Sequence, residues 1–291
     1  MLLSILEQGL IYGILALGLL ITYRILDFPD LTVDSSFPLG AAVSAVLTVR
    51  GMAPVWTLFF AVLAGCLAGL ITGLIHVKCH VRDLLSGIIT MTGLYSINLN
   101  IAGKANVPLF GGDTLFKNPF TRAFPAFLAP YATLLIILVI TLIAKLLLDW
   151  FLSTKAGFLL RAAGDNPSVV TTLAQDQGRV KILGLMIANA LVALSGAVMC
   201  QQQRYFDISM GTGAMVIGLA SVIIGTNIFR SLRFMRSTTM ALIGSVPYKA
   251  SVAIALQLGL DSSFMKLITA VLFLIILVIS QFRPKKVRLH V

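Results

Sequence analysis

Charge is scarce in this sequence: of 291 residues, only 11% are Asp, Glu, Lys or Arg. A soluble domain carries about 25%, so too little charge is present to cover a water-facing surface. Histidine is limited to three residues and cysteine to Cys66, Cys79 and Cys200, with no CxxC pair. A zinc site, a disulfide framework and histidine-based catalysis all fit poorly with that supply. There is no GxxxxGK[ST] phosphate loop, since Gly103-Lys104 is followed by Ala105 and lacks the upstream glycine. HExxH and GxSxG are missing too. The first apolar run has no basic segment before it and no small-residue cleavage site after it, so it reads as a retained helix. No short tandem repeat, low-complexity tract or domain-separating linker interrupts the chain, which reads as one domain over 1–291.

What the sequence does contain is apolar: 58% hydrophobic residues, with a mean hydropathy of +0.98. A helix crosses a bilayer core with about 20 mostly apolar residues. That ruler predicts spans over 3–23, 36–49, 54–76, 84–103, 126–148, 181–201, 212–228, 237–258 and 263–282. The fold class is therefore an all-α, polytopic membrane helix bundle of eight or nine crossings. The short second run follows Asp27-Phe28-Pro29-Asp30 and is a candidate broken or re-entrant helix, tolerated only where protein or a water-filled cavity covers its backbone.

The small charged remainder is lopsided, 22 Lys and Arg against 11 Asp and Glu, a net charge of +11. Nucleic acid is a poor fit as partner, because the basic residues separate apolar spans rather than line one face. With nine crossings and a cytoplasmic C-terminus, fifteen of the 22 basic residues fall on the cytoplasmic side. They include Arg24, Lys78, Arg82, Lys155, Arg161, Arg179 and the tail Arg283, Lys285, Lys286 and Arg288. This bias is the positive-inside pattern. It makes 104–125 an extracytoplasmic loop and 149–180 a cytoplasmic segment.

Within the spans, Gly65, Gly69 and Gly73 recur every four residues, as do Gly9 and Gly13. That spacing favours close helix packing over a pathway lining. Asp27, Asp30 and Asp34 cluster near an expected interface and read equally as solvated carboxylates, partners of Arg24, or a gate. Lys249 lies deep in a span after Pro247, where a buried pair or a hydrated cavity would be needed. Asn98, Asn100, Asn189 and Gln201 can hydrogen-bond between helices. Asn98, Asn100 and Lys249 are the pathway candidates.

The most informative stretch is polar yet carries apolar residues at helical spacing: Gly157-Phe158-Leu159-Leu160-Arg161-Ala162, then Asn166-Pro167 and Val169 to Ala174. Phe158, Leu159 and Ala162 are expected to share one face, and Val169, Val170, Leu173 and Ala174 another. Pro167 suits a first helical position. Two short amphipathic helices between basic flanks could lie on a membrane surface or fit a partner's groove.

Together with this stretch, Gly9-Leu10-Ile11-Tyr12-Gly13, Leu39-Gly40-Ala41, Arg179-Val180-Lys181, Leu194-Ser195-Gly196-Ala197, Gly218-Leu219-Ala220 and Ile223-Ile224-Gly225 stand in a characteristic order. In that order the sequence resembles the permease family of bacterial ABC importers for branched-chain amino acids and ribose-type sugars, over most of the chain. It looks closest to the subgroup associated with aromatic amino acids of the tryptophan or tyrosine type. The run Ala174-Gln175-Asp176-Gln177-Gly178-Arg179 and the aspartates Asp27 and Asp34 depart from the branched-chain pattern, which leaves the substrate open.

The resemblance implies a membrane-spanning transport subunit of the bacterial inner membrane, binding no cofactor itself. ATP and Mg would sit on a separate ATPase, present in two copies. A second copy of this chain, membrane lipid and an extracytoplasmic binding protein would be the other partners. Gly157, Phe158, Leu159, Leu160, Arg161, Asn166 and Leu173 would then form the ATPase-coupling element. The alternative is a secondary transporter driven by an ion gradient, with Asp27, Asp30 or Asp34 as coupling site.

Overall fold

A computed structural model describes residues 2–110, 112–118, 121, 129–172, 176–229, 235–257 and 265–282. The tail at 283–288 and the 230–234 loop lie outside the described residues. Helix α1 (Leu2–Leu19) continues as a π-helical turn over Leu20–Ile25. It is followed by α2 (Val33–Val49), α3 (Pro54–Lys78), α4 (Asp83–Ala102) and α5 (Ala132–Ser153). Two short helices, α6 (Lys155–Asp165) and α7 (Pro167–Thr172), precede the long α8 (Gln177–Gln203). The described chain closes with α9 (Ala214–Ile228), α10 (Ser237–Gln257) and α11 (Met265–Phe282). A two-stranded ribbon pairs β1 (Asn106–Pro108) antiparallel with β2 (Tyr205–Asp207), stapling the segment after α4 to the end of α8.

Among the described residues, six helical segments are long and apolar enough to cross a membrane: 2–25, 54–78, 83–102, 132–153, 177–203 and 208–228. The apolar stretches Val33–Val49 and Leu267–Val278 are shorter. The protein is thus a polytopic helix bundle. α1 and α8 form its centre: 78% and 61% of their apolar windows are buried, against 28% in α4 and in α5. The peripheral helices turn large side chains such as Trp56, Leu67, Ile89 and Leu146 outward, where lipid would solvate them.

The glycine spacing is resolved by packing. At Gly65, Gly69 and Gly73 on α3, an added Cβ would collide with Asn189, Leu185 and Ile182 of α8, at the first two with backbone. The two helices are antiparallel and touch backbone to backbone, as small residues at four-residue spacing permit. Gly9 and Gly13 of α1 do the same for Val246, Leu242 and Ser245 of α10, where Ser245 Oγ also donates to the Gly9 carbonyl at 2.6 Å.

The irregular N-terminal run has a clear geometry. Along α8, α1 runs antiparallel, with Ser195 donating to the Ile11 carbonyl and Gly18 against Ala188. α2 runs parallel to α8, from Ser36 beside Asn189 to Ser44 beside Gln201. Hence α2 begins about half-way along α8, and the non-helical residues 26–32 turn back inside the bundle. Leu26, Phe28, Asp30 and Thr32 are all buried there, which meets the requirement that irregular backbone at membrane depth be covered by protein.

One span is displaced from its sequence-based position. The fifth is expected over 126–148, but its helix occupies Ala132–Ser153. Pro130 sits in the short 3-10 turn Ala129–Tyr131, and a proline further into an α-helix would remove a hydrogen bond and clash with the preceding turn. Asp149 and Trp150, expected in the cytoplasmic segment, are consequently in the last turns of α5.

Candidate functional site

The 155–172 segment folds as two short helices, and its local sequence explains both. Thr154, in extended conformation, caps α6: its Oγ1 accepts from Gly157 N at 3.4 Å. Asn166 closes the helix in extended conformation, as a residue before proline prefers, and Pro167 opens α7. The face that α6 buries is Gly157, Leu160 and Ala163, and Phe158, Leu159 and Ala162, expected to share a face, are not part of it. The register is set by two close approaches: Gly157 against the Phe151 and Leu152 backbone, and Gly164 against the Ile25 carbonyl. No side chain fits at either point. Leu160 is fully buried in a cluster with Leu26, Leu152, Ala163, Val170 and Val180. Leu159 is half-buried, whereas Phe158, at 64% exposure, and Arg161 face outward. Leu173 lies outside the described residues.

Beside this element lies a cavity of about 730 Å³ lined by Arg24, Asp149, Arg161, Asp165, Arg236 and Thr238 among others. Its wall is organised by Asp149. The carboxylate receives Thr238 Oγ1 at 2.6 Å and Lys145 Nζ at 3.0 Å, and pairs with Arg236 at 3.2 Å. The Asp149 side chain is 5% exposed, Lys145 18% and Arg236 69%. This bonding ties the end of α5 to the start of α10. Sequence reasoning misses it because it puts Asp149 in a loop; the Lys145–Asp149 spacing of four is the available signal.

Further into the bundle, Asp30 and Asn189 anchor a polar network. Asp30 accepts from Thr32 N (2.9 Å) and Asn189 Nδ2 (2.8 Å), Ser36 donates to Asn189 Oδ1 (2.7 Å), and the Thr32 and Thr72 hydroxyls pair at 2.9 Å. The network joins the 26–32 turn, α2, α3 and α8. Asp34 acts elsewhere. It accepts from Gly213 N (3.1 Å) and Met215 N (2.8 Å), capping α9 where the positive end of the helix dipole favours a carboxylate. Asp27 is exposed, with φ of 52°.

The three expected pathway residues part company. Asn98 is fully buried and donates to the Ser35 carbonyl at 2.9 Å, between α4 and α2. Asn100 is exposed on α4. Lys249 is half-buried on α10, its Nζ 4.0 Å from the centre of the Tyr12 ring, and Tyr12 stacks in parallel on Phe37 at 6.1 Å. Gln201 donates to Ser44 and Thr57 and accepts from Leu115 N, as an interhelical packing residue. No cluster of three His, Cys, Asp or Glu side chains suited to a metal occurs among the described residues.

Comparison with known proteins identifies the scaffold. The family described as branched-chain amino acid transport system / permease component matches residues 1–280. The chain belongs to this permease family. It is 42% identical over 271 residues to a tyrosine transport system permease protein of Clostridioides difficile, covering 93% of this chain and 88% of that one. An uncharacterised protein of Rickettsia prowazekii is 34% identical over 278 residues, 94% and 95% of the two chains. A probable branched-chain amino acid transport permease protein of Methanocaldococcus jannaschii is 26% identical over 229 residues, 73% and 70%. The permease is therefore a multi-pass transport subunit of an ABC transporter and not an enzyme, with ATP hydrolysis on a separate ATPase subunit. Family membership displaces the ion-gradient alternative, and the carboxylates proposed for it, Asp30 and Asp34, are bonded to neutral donors of the scaffold.

Proposed function

We propose that the permease imports an amino acid with a tyrosine-like side chain, and that α6 is where its ATPase docks. The single observation carrying the docking assignment is the division of α6 into two faces. Gly157, Leu160 and Ala163 lock it against α5, α8 and the π-helical end of α1, while Phe158 and Arg161 project outward. Through Leu160, Leu26 and Phe28, displacement of α6 is passed to the 26–32 turn and its Asp30–Asn189 network. A packed cluster of this kind transmits movement as a unit because close-packed interiors barely compress. The substrate assignment is supported by the 42% identity with the tyrosine permease over nearly the whole chain.

In this reading the protein sits in a bacterial inner membrane with the C-terminus in the cytoplasm, as the distribution of Lys and Arg favours. Two copies line the pathway, each holding one ATPase, and the 104–125 loop with the β-ribbon faces an extracytoplasmic binding protein. Nucleotide-driven closure of the ATPases moves both α6 elements, and the bundles alternate between inward- and outward-open states.

The test is the variant Phe158→Ser with Arg161→Glu, purified with the ATPase. Both residues are exposed, so the permease should keep its thermal midpoint while ATPase co-purification falls by about tenfold or more. A variant that retains its ATPase and imports tyrosine at the normal rate would remove α6 from the coupling role.

A further inference from the structure

Lys249 lies on α10, the helix that occupies the expected span over 237–258, and its positive charge is the feature that the scaffold leaves unexplained. An ammonium within a span is held away from lipid, facing either the bundle interior, another chain or a hydrated space. Lys249 is half-buried, so part of it reaches the surface of the chain. The ion pairs among the described residues are His76–Asp83, Lys145–Asp149, Arg179–Asp176 and Arg236–Asp149, and none involves Lys249. Three acids on α1, α2 and β2 are already engaged by neutral donors. Glu7 accepts from Gln202, Asp34 from the first amides of α9, and Asp207 from Ser209 and Asn106.

What Lys249 does have is a ring. Its Nζ stands 4.0 Å over the Tyr12 centroid, and Tyr12 packs against Phe37, whose ring is fully buried and nearly parallel at 3°. A cation over an aromatic face is held without being neutralised. A ring contact leaves the ammonium's N–H donors available to a further acceptor. α10 carries it on one side, and α1 holds the ring through the Gly9 and Gly13 contacts described above.

We propose that Lys249 is a carboxylate-binding point on the solute pathway, with Tyr12 as its positioning residue. This rests on the reading of the protein as an amino acid importer and names the part of the solute that the membrane domain recognises. The ligand class is a small zwitterion whose carboxylate meets the ammonium by a charge-assisted hydrogen bond. With Lys249 over its ring and Phe37 packed against it, Tyr12 is already engaged by the chain's own residues. Lys249 thus recognises the part common to all amino acids, and discrimination among side chains lies elsewhere.

The experiment uses the complete transporter (permease, ATPase and binding protein) in proteoliposomes, with radiolabelled L-tyrosine as probe. Wild type must first accumulate tyrosine in an ATP-dependent manner; failure there refutes the substrate assignment and leaves Lys249 to be assayed with labelled leucine. Given wild-type uptake, Lys249→Met should lower it by about tenfold or more, the scale of one charge-assisted contact, with Lys249→Arg largely active. Tyr12→Phe should retain uptake and Tyr12→Leu lose it, since either aromatic ring holds a cation.

Lys249→Cys removes any ambiguity from folding. Alkylthiolation of the assembled variant with an aminoethyl reagent should restore uptake, and a sulfonatoethyl reagent should not, with wild type treated in parallel for Cys66, Cys79 and Cys200. Uptake by Lys249→Met within twofold of wild type, or equal recovery with both reagents, would overturn the proposal. So would conversion of a cross-linkable dimer to monomer by Lys249→Met, which would give the charge to a subunit interface instead.

Discussion

Asp149 offers the sharpest quantitative test of how the end of α5 is held to the start of α10. Three bonds converge on its carboxylate, but their surroundings differ. Thr238 is buried and lies at 2.6 Å, Lys145 is 18% exposed at 3.0 Å, and Arg236 is 69% exposed at 3.2 Å. Hydrogen bonds to a charged group contribute roughly 1.5–3 kcal/mol when sheltered, whereas a solvent-exposed ion pair contributes about 0–1 kcal/mol. Asp149→Ala removes two sheltered bonds and strands a partly buried ammonium, so its cost is about 3–5 kcal/mol. Thr238→Val should cost about 1.5–3 kcal/mol and Arg236→Ala less than about 1 kcal/mol. Asp149→Asn keeps an acceptor for Thr238 and should fall between the first two. The assay is thermal unfolding of the purified permease followed by tryptophan fluorescence. Trp150 is adjacent to Asp149, and Trp56 is the other tryptophan. A loss of about 3–5 kcal/mol corresponds to a drop of roughly 5–15 °C in the midpoint. If Arg236→Ala proves as damaging as Asp149→Ala, or if Asp149→Ala shifts the midpoint by less than about 1 °C, the carboxylate is not the hub of this region.

Two further expectations concern packing and pH. Gly69→Ala should lower the yield of folded permease, because its Cβ would meet the Leu185 backbone and separate α3 from α8, an overpacking cost of about 1–3 kcal/mol or more. Gly93→Ala on α4, where nothing lies within 4 Å, should be neutral or slightly stabilising in the same expression and thermal assays. In the β1–β2 ribbon and the turn after it, the Ser209 hydroxyl and amide, with Asn106, hold the Asp207 carboxyl below its ordinary range against a weaker opposing effect of burial. A depressed folded value means this stabilisation is complete above the ordinary carboxylate range and is lost as pH falls through the folded value. The wild type should therefore lose more stability than Asp207→Asn as pH falls from the ordinary carboxylate range through the folded value, read as the difference of their thermal midpoints; parallel curves would show that the Asp207 bonds contribute nothing.

The boundary between what is legible in the sequence and what is not follows the range of the interactions. Hydropathy reports the solvent around each segment, so the bundle and the anomaly of the short second run are readable from single residues and windows. The four-residue glycine spacing on α3 identifies a packed face, since that spacing is a property of one helix. It does not identify the partner: only the fold brings Gly69 to Leu185. In α6, apolar and small residues lie at 156–160 and 162–164, and periodicity alone allows more than one buried face. The choice of Leu160 over Phe158 is made by the close approaches at Gly157 and Gly164, which depend on residues of α5 and the π-helical turn.

The acids show the same division. In the sequence, Asp27, Asp30 and Asp34 form one cluster with one set of alternatives. In three dimensions they separate into an exposed residue, the centre of a buried network reaching Asn189, and the cap of a helix whose bonded amide lies 181 residues away. Sequence by itself determined that this chain is a polytopic membrane helix bundle, and it set the expectation for orientation and for a polar segment between spans, because these depend on local composition and on sums over loops. Tertiary structure alone decided which face of α6 is free, where irregular backbone is covered, and which charge within an expected span has no acidic partner among the described residues, because each is set by contacts between residues far apart in the chain.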